Sequence, residues 1–267
     1  MQKQNTGKNR NIIDKFYTNP DIVQKYINTV LSYIDENELL IEPSAGNGVW
    51  LKPLKRYNVI GYDIAPEDET VINKNFLELD LNIHKENLHF IGNPPFGRQA
   101  SIARKFIKHI CSYKQSKTIA FILPKSFKKQ SYQKAFPLKY HLVYQEDVEK
   151  NAFLINDTPY NVPCVFQIWK QKDVNRKIPK KEIPKGFNFV KKEENPHYSL
   201  RRVGVYAGKI SHEIVNKSKQ SHYFIKLDND CEHFVNKYNK IQWNHDNTVG
   251  PKSISKQEYI IELNKLF

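Results

Sequence analysis

The sequence predicts a doubly wound α/β fold with a mostly parallel sheet, followed by a smaller, basic α+β region. Three observations predict it. Short apolar runs that read as strands alternate with stretches whose apolar residues recur at helical spacing, the order of an open sheet with helices on both faces. The first strand runs into a glycine-bearing turn and the second ends on an acid, as where a ligand crevice lies beyond the strand ends. After Trp169 the composition turns rich in Lys and Pro, which marks a boundary near residue 170.

The elements follow in order. Asn19-Pro20 is an N-cap followed by a proline in the first helical turn. Ile22, Tyr26, Ile27, Val30, Leu31 and Ile34 then predict an amphipathic helix over roughly 20–35. Leu39 to Glu42 is a strand that stops at Pro43. Ser44-Ala45-Gly46-Asn47-Gly48 is a tight loop, and Val49 to Tyr57 reads as the helix it opens. Val59 to Asp63 is a second strand and Val71 to Leu79 a third element. His89 to Gly92 is a strand running into Asn93-Pro94-Pro95-Phe96-Gly97. Ile102 to Tyr113 is helical, Thr118 to Leu123 is a buried strand, and Tyr140 to Val148 and Val162 to Trp169 are two more. Asn156-Asp157-Thr158-Pro159 supplies turn chemistry between these last two, which as consecutive strands predict an antiparallel edge. Residues 170–196 read as a linker. Residues 197–267 hold strand-like runs such as Tyr223 to Leu227 and a helix from about Lys256, with no internal repeat.

Hydrophobic residues at 39% and aromatics at 12% suffice for a core and exclude wholesale disorder. The polar stretch Met1 to Arg10 predicts no secretory leader, and the apolar runs are too short to span a membrane. Cys111, Cys164 and Cys231 form no CxxC pair, so neither a zinc site nor a disulfide framework is expected, and an intracellular, reducing compartment is. The net charge is +14. Residues 1–169 carry 22 Lys and Arg against 17 Asp and Glu, and residues 170–267 carry 20 against 11. The excess therefore concentrates at the C-terminal end, where it suits either a polyanionic partner or a solvated surface.

The chemistry-bearing residues cluster at strand ends. Glu42 to Gly48 is either a βα turn or a loop whose small residues let backbone approach a ligand closely. The expected helix behind it would attract an anion. Asp63 is either a cap or an acceptor for both ribose hydroxyls of an adenosine-containing cofactor. Asn93-Pro94-Pro95-Phe96 is the most specific of the three. With it the chain resembles the S-adenosylmethionine-dependent amino-methyltransferases, which share an Asn/Asp-Pro-Pro-Tyr/Phe motif. Asp14-Lys15-Phe16-Tyr17-Thr18 looks like that family's N-terminal cofactor motif, Glu42 to Gly48 its glycine motif, Asp63 its ribose acid, and Asn75-Phe76-Leu77 its adenine-reading segment. Asn75 replaces the usual Asp, which exchanges a charge-assisted hydrogen bond for a neutral one. The resemblance covers roughly residues 14–170.

The resemblance implies a Rossmann-like, seven-stranded catalytic domain over 1–170 and a basic target-recognition region over 171–267. It implies S-adenosylmethionine as cofactor, held by Phe16, Tyr17, Thr18, Glu42, Pro43, Ser44, Ala45, Gly46, Gly48, Asp63, Ile64, Asn75, Phe76 and Asn93, and no metal. It implies methyl transfer to an exocyclic amine at Asn93, Pro94, Pro95 and Phe96. Such an amine is a poor nucleophile while its lone pair is delocalised into the ring. The Asn93 side-chain oxygen and the Pro94 carbonyl can hold its hydrogens out of conjugation, and Phe96 offers a face for the base. The expected partner is nucleic acid, DNA before RNA, with N6 of adenine as target. An RNA methyltransferase, a protein glutamine methyltransferase and a silent binding subunit are the alternatives. Candidate nucleic-acid contacts are Lys125, Lys128 and Lys129 after the Leu123-Pro124 strand end, and Arg201, Arg202, Tyr206 and Lys209 in a basic, glycine-punctuated hairpin.

Overall fold

The computed structural model describes residues 17–267 except 36, 156–157, 230–232, 246 and 249, so Phe16, the Asn156-Asp157 turn and Cys231 lie outside the described residues. The chain divides into two compact units, one running to Lys177 and the other Ile178–Phe267.

The first unit contains β1 (Tyr17–Thr18), α1 (Pro20–Leu31), β2 (Leu39–Glu42), β3 (Val59–Asp63), β4 (Ile72–Asn73), β5 (Leu88–Gly92), α2 (Ser101–Cys111), β6 (Ser116–Pro124), α3 (Gln130–Gln133), β7 (Tyr140–Asp147), β8 (Phe153–Ile155), β9 (Thr158–Tyr160) and β10 (Cys164–Gln171). Seven strands form one sheet in the order β4-β3-β2-β5-β6-β10-β7. β2 pairs in parallel with both β3 and β5, and β5 with β6. The chain therefore winds outward from β2 to β4 and then returns to lay β5 on the other side of β2. This is the Rossmann-like, doubly wound arrangement, and its switch point lies between β2 and β5.

Strand alternation builds a core on each face. Leu39, Ile41, Phe90, Ile119, Phe121, Leu123, Val165 and Trp169 face one side, where α2 contributes Ala103, Phe106, Ile107 and Ile110. Leu40, Ile91, Ala120, Ile122, Phe166 and Ile168 face the other, where α1 contributes Ile22, Val23, Tyr26, Ile27 and Val30. The start of α1 is local chemistry: Asn19 Oδ1 accepts from the Asp21 N–H at 2.9 Å, with Pro20 as the first helical residue.

Two expectations are corrected in this unit. Val49 to Tyr57 forms turns and a single 3₁₀ turn, Lys52–Leu54, instead of an α-helix. Pro53 has no N–H for the helical ladder, and its ring crowds the carbonyl four residues before it. The expected antiparallel edge forms, with β7 at the rim and antiparallel to β10; β10 itself lies between β6 and β7 and is antiparallel to both. Its first six residues are buried while those of β7 are mostly half-buried or exposed, so apolar burial draws β10 inward and leaves β7 as the rim. The segment between them is more than a turn, because β8 pairs with β9 and also with β1, which ties Tyr17 and Thr18 to the fold.

The second unit contains β11 (Phe187–Val190), β12 (Tyr198–Arg201), β13 (Ile210–Ser211), β14 (His222–Leu227), α4 (Phe234–Tyr238) and α5 (Lys256–Leu263). β11 falls inside the stretch expected to be linker. The four strands form an antiparallel sheet in the order β11-β14-β12-β13. Its core joins Phe187, Leu200, Ile225 and Leu227 to Phe234, Tyr238, Tyr259 and Leu263. A capping box starts α5, with Ser255 and Glu258 each accepting from the other's N–H. Among the described residues no helix is long and apolar enough to cross a membrane, and no group of three His, Cys, Asp or Glu is arranged to hold a metal ion.

Candidate active site

The carboxyl ends of β2, β3 and β5 are adjacent in the sheet, so the loops after Glu42, Asp63 and Gly92 leave from one edge at the switch point. Sheet topology alone thereby brings together three of the stretches that the sequence marks.

Gly46 and Gly48 take left-handed backbone, with φ of 49° and 70°, as the tight loop requires. The Gly46 N–H donates to Asp63 Oδ2 at 2.8 Å, and the Ala65 N–H to Asp63 Oδ1 at 2.8 Å. Asp63 is thus locked in place by its own turn and by the glycine loop, and each oxygen keeps a further lone pair. The Ala45 N–H donates to the Tyr62 carbonyl at 2.9 Å, which fastens the start of the loop to β3. A Cβ on Gly46 would lie 3.4 Å from the Tyr17 ring and 4.0 Å from Asp63 Oδ2, so the Tyr17 ring, the loop and Asp63 are close neighbours.

Glu42 ends β2 only 1% exposed. Burial, and then the nearby Asp63 charge, push its carboxyl well above the usual carboxylate range. Its Oε2 has no hydrogen-bond partner, and neither do the buried Ser44 Oγ and Thr18 Oγ1. Buried polar atoms without partners are costly, and these three fall on residues that the family resemblance assigns to the cofactor.

Several contributors escaped sequence reasoning. Gly92 has φ 130°, and a Cβ there would meet Glu42 Cγ and Oε1 at 3.1 Å, so only glycine lets β5 pass the buried carboxyl and deliver Asn93. A glycine immediately before Asn-Pro-Pro was the available signal. Glu67 accepts from the Tyr17 hydroxyl at 2.5 Å, and its N–H donates to the Gly46 carbonyl at 2.9 Å. Burial and that bond raise the Tyr17 phenol. Asp68 packs beside Gly48, where a Cβ would lie 3.1 Å from its Cγ. No local pattern marks Glu67 or Asp68.

Asn93 follows β5 half-buried, Pro94 is buried, and Pro95 and Phe96 are half-buried, with Phe96 packed against the α1-side core. The Phe96 carbonyl accepts from the Ile102 and Ala103 N–H groups at 3.1 and 3.4 Å, which pins the motif to the start of α2. Asn75 caps the short turn Phe76–Glu78: its Oδ1 accepts from the Leu77 N–H at 3.2 Å and its Nδ2 donates to Glu78 at 2.6 Å. The Phe76 ring is 1% exposed and stacks on Phe106 with centroids 5.7 Å apart. It is committed to the core, which leaves Asn75 and the adjoining backbone as the groups able to meet a base. Ile64 is 62% exposed beside Asp63.

The candidate nucleic-acid residues divide. Lys125 and Lys128 both pair with Asp147, at 3.0 and 2.5 Å. Arg201 Nε donates to the Val203 carbonyl at 2.8 Å, Arg202 Nε donates to the Gln220 carbonyl at 3.1 Å, and Arg202 lies over the Tyr223 ring. Tyr206, 61% exposed, and Lys209, over its ring at 4.6 Å, remain at the surface of the 202–209 connection.

The chain matches no protein-family model and no curated protein. Among solved structures it is similar to the 23S rRNA methyltransferase ErmE, with 15% identity over 60% of this chain and 71% of that one and a TM-score of 0.47. It is also similar to the methyltransferase subunit of a type I restriction-modification system from Streptococcus thermophilus, with 18% identity over 61% of this chain and a TM-score of 0.42. It spans 47% of that subunit's length.

Proposed function

We propose that this protein is an S-adenosylmethionine-dependent methyltransferase acting on an exocyclic amine of nucleic acid, with N6 of adenine in DNA as the target and RNA as the second reading. The observation that carries it is the meeting, at one switch point, of the glycine loop after Glu42, the locked Asp63 carboxylate and the Asn93–Phe96 segment. The cofactor fits the residues present. Asp63 keeps acceptor positions for ribose hydroxyls, and Glu42 Oε2, Ser44 Oγ and Thr18 Oγ1 are buried and unpartnered. Gly46 leaves the room that a side chain would fill.

When bound, S-adenosylmethionine supplies an electrophilic methyl on a sulfonium centre. The chain's own residues do the rest. Asn93 and the Pro94 carbonyl accept the amine hydrogens and turn the lone pair toward the crevice. The prolines hold that backbone rigid and add no competing N–H. Phe96 offers its free ring surface to a base brought out of its stack. This is catalysis by positioning and preorganised dipoles, with no side chain required as a shifted base. The basic second unit serves target recognition, with Tyr206 and Lys209 as its available contacts.

The test is tritium transfer from labelled S-adenosylmethionine to matched DNA and RNA pools, with the product identified by nucleoside mass spectrometry. N6-methyladenine in DNA is expected. Label found only in RNA selects the second reading, and label on protein glutamine overturns both.

A further inference from the structure

The segment that joins the Asn93–Phe96 motif to α2 is strained. Gln99 and Ala100 are successive non-glycine residues in the left-handed region, with φ and ψ of 52° and 35°, then 57° and 30°. Steric repulsion between Cβ and backbone resists that conformation at either residue, and it persists only where surrounding structure imposes it. Here the surroundings do so. Ala100 is 4% exposed within the α2-side core. The Ala100 N–H donates to the Gly97 carbonyl at 3.2 Å, while the Phe96 carbonyl is held by Ile102 and Ala103. The outcome is a closed turn whose exposed members are Arg98, Gln99 and the following Ser101.

Arginine is scarce in this chain, 7 residues against 35 lysines, and the other described arginines near structured elements have internal work. Arg176 donates to the carbonyls of Gln133, Phe136, Pro137 and Tyr140. Arg104 lies over Tyr132, and Arg201 and Arg202 donate within the second unit. Exposed Arg56 precedes β3, at the edge of the sheet opposite the site. The Arg98 side chain has no hydrogen-bond or ion-pair partner among the described residues, and it stands two residues after Phe96 on a turn whose strain is maintained at a cost. Guanidinium presents a planar fork that matches phosphate oxygens, which a lysine does not.

We propose that Arg98 positions the substrate: its guanidinium grips the polynucleotide phosphate beside the base that Asn93–Phe96 receives, and the Gln99–Ala100 turn holds it there. This rests on the methyltransferase reading and names a contact that reading lacks. Phosphate contacts fix register without reading sequence, as a site that must place one amine against one methyl requires.

The test compares wild type, Arg98→Ala, Arg98→Lys, Gln99→Val and the Arg98→Ala/Gln99→Val double variant. Binding to matched DNA duplexes and RNA oligonucleotides is followed against salt, alongside methyl-transfer kinetics. Arg98→Ala is expected to lower the slope of log K against log salt by about one and to raise KM for the nucleic acid on the order of tenfold. Cofactor affinity and thermal midpoint should not change. Arg98→Lys should restore the slope but not KM. Gln99→Val, whose β-branch resists left-handed backbone, should raise KM in wild type and add nothing to Arg98→Ala. These effects on either polymer support the proposal and identify which phosphate is held. An active enzyme whose slope and KM survive Arg98→Ala overturns this proposal alone, and a wild type that binds no polynucleotide overturns it together with the proposed function.

Discussion

The loops at the carboxyl edge of the first unit and the 202–209 connection of the second both combine glycine, charge and an aromatic residue, yet the structure treats them in opposite ways. At the carboxyl edge, polar atoms of Thr18, Glu42 and Ser44 are buried without partners. In the second unit the two arginines donate to carbonyls of their own fold, and the connection is closed by bonds from Gly208 N–H to the Arg201 carbonyl at 2.7 Å and from Arg201 N–H to the Lys209 carbonyl at 2.8 Å. At the carboxyl edge the fold leaves polar capacity over, whereas at the 202–209 connection the arginine charge is already engaged inside the fold.

The largest effect expected from this contrast is at Asn93. Asn93→Ala should slow methyl transfer by about 10²–10³-fold, the scale for removing one preorganised polar group, with little change in nucleic-acid affinity. Single-turnover kinetics beside a binding titration check it. A loss confined to affinity would place Asn93 outside the transition state. Asp63→Ala comes next. It should weaken cofactor binding by roughly 1.5–3 kcal/mol, since hydrogen bonds to a charged acceptor are lost, and should lower the thermal midpoint because the Gly46 and Ala65 N–H groups lose their acceptor. Calorimetric affinity equal to wild type removes the ribose assignment.

In the second unit the ordering should invert. Arg201→Ala/Arg202→Ala should lower the thermal midpoint while the salt slope of nucleic-acid binding stays near wild type. Lys209→Ala should leave the midpoint unchanged and reduce the slope by about one phosphate contact. A salt slope that falls by two in the arginine variant would show that the internal bonds give way to phosphate.

The smallest effect concerns Glu42. Its carboxyl sits well above the usual range in the folded protein, so its contribution to stability is fully present below the unfolded-state pKa and is lost as pH rises through the raised folded value. Glu42→Gln should therefore raise the thermal midpoint of the ligand-free protein at neutral and alkaline pH, with the gain shrinking toward acid pH. It should also weaken cofactor affinity. A midpoint gain independent of pH would mean that the buried charge is not what the substitution relieves.

How much was legible in advance depends on the range of the interaction concerned. The start of α1 is read from Asn19-Pro20 because a cap is made by neighbours in sequence. The Val49–Tyr57 helix was misread because its apolar content outweighed a single Pro53. The place of β10 between β6 and β7 is not legible from chain order, which does not state spatial order, although its run Val165-Phe166-Gln167-Ile168-Trp169, set against the polar end of β7, carries the hint that it is covered on both faces. In the candidate site, Gly46, Asp63 and Asn93–Phe96 are legible as strand-end motifs. Gly92 and Glu67 were not, because each acts on a residue at least twenty-one positions away.

The sequence by itself determined the strand and helix periods, the glycine turn, the acid after the second strand, the Asn-Pro-Pro-Phe segment and the basic C-terminal excess, because each is a matter of residue type at short spacing. Only the tertiary structure decided that Glu42 is buried beside Gly92, that Asp63 is locked by the Gly46 amide, that Gln99 and Ala100 are held in left-handed backbone, and that Arg201 and Arg202 face their own carbonyls. The physical reason is that burial and hydrogen-bond partnership belong to pairs of groups brought together by packing across the sheet, and the cost or usefulness of a polar atom is settled by what packing places next to it.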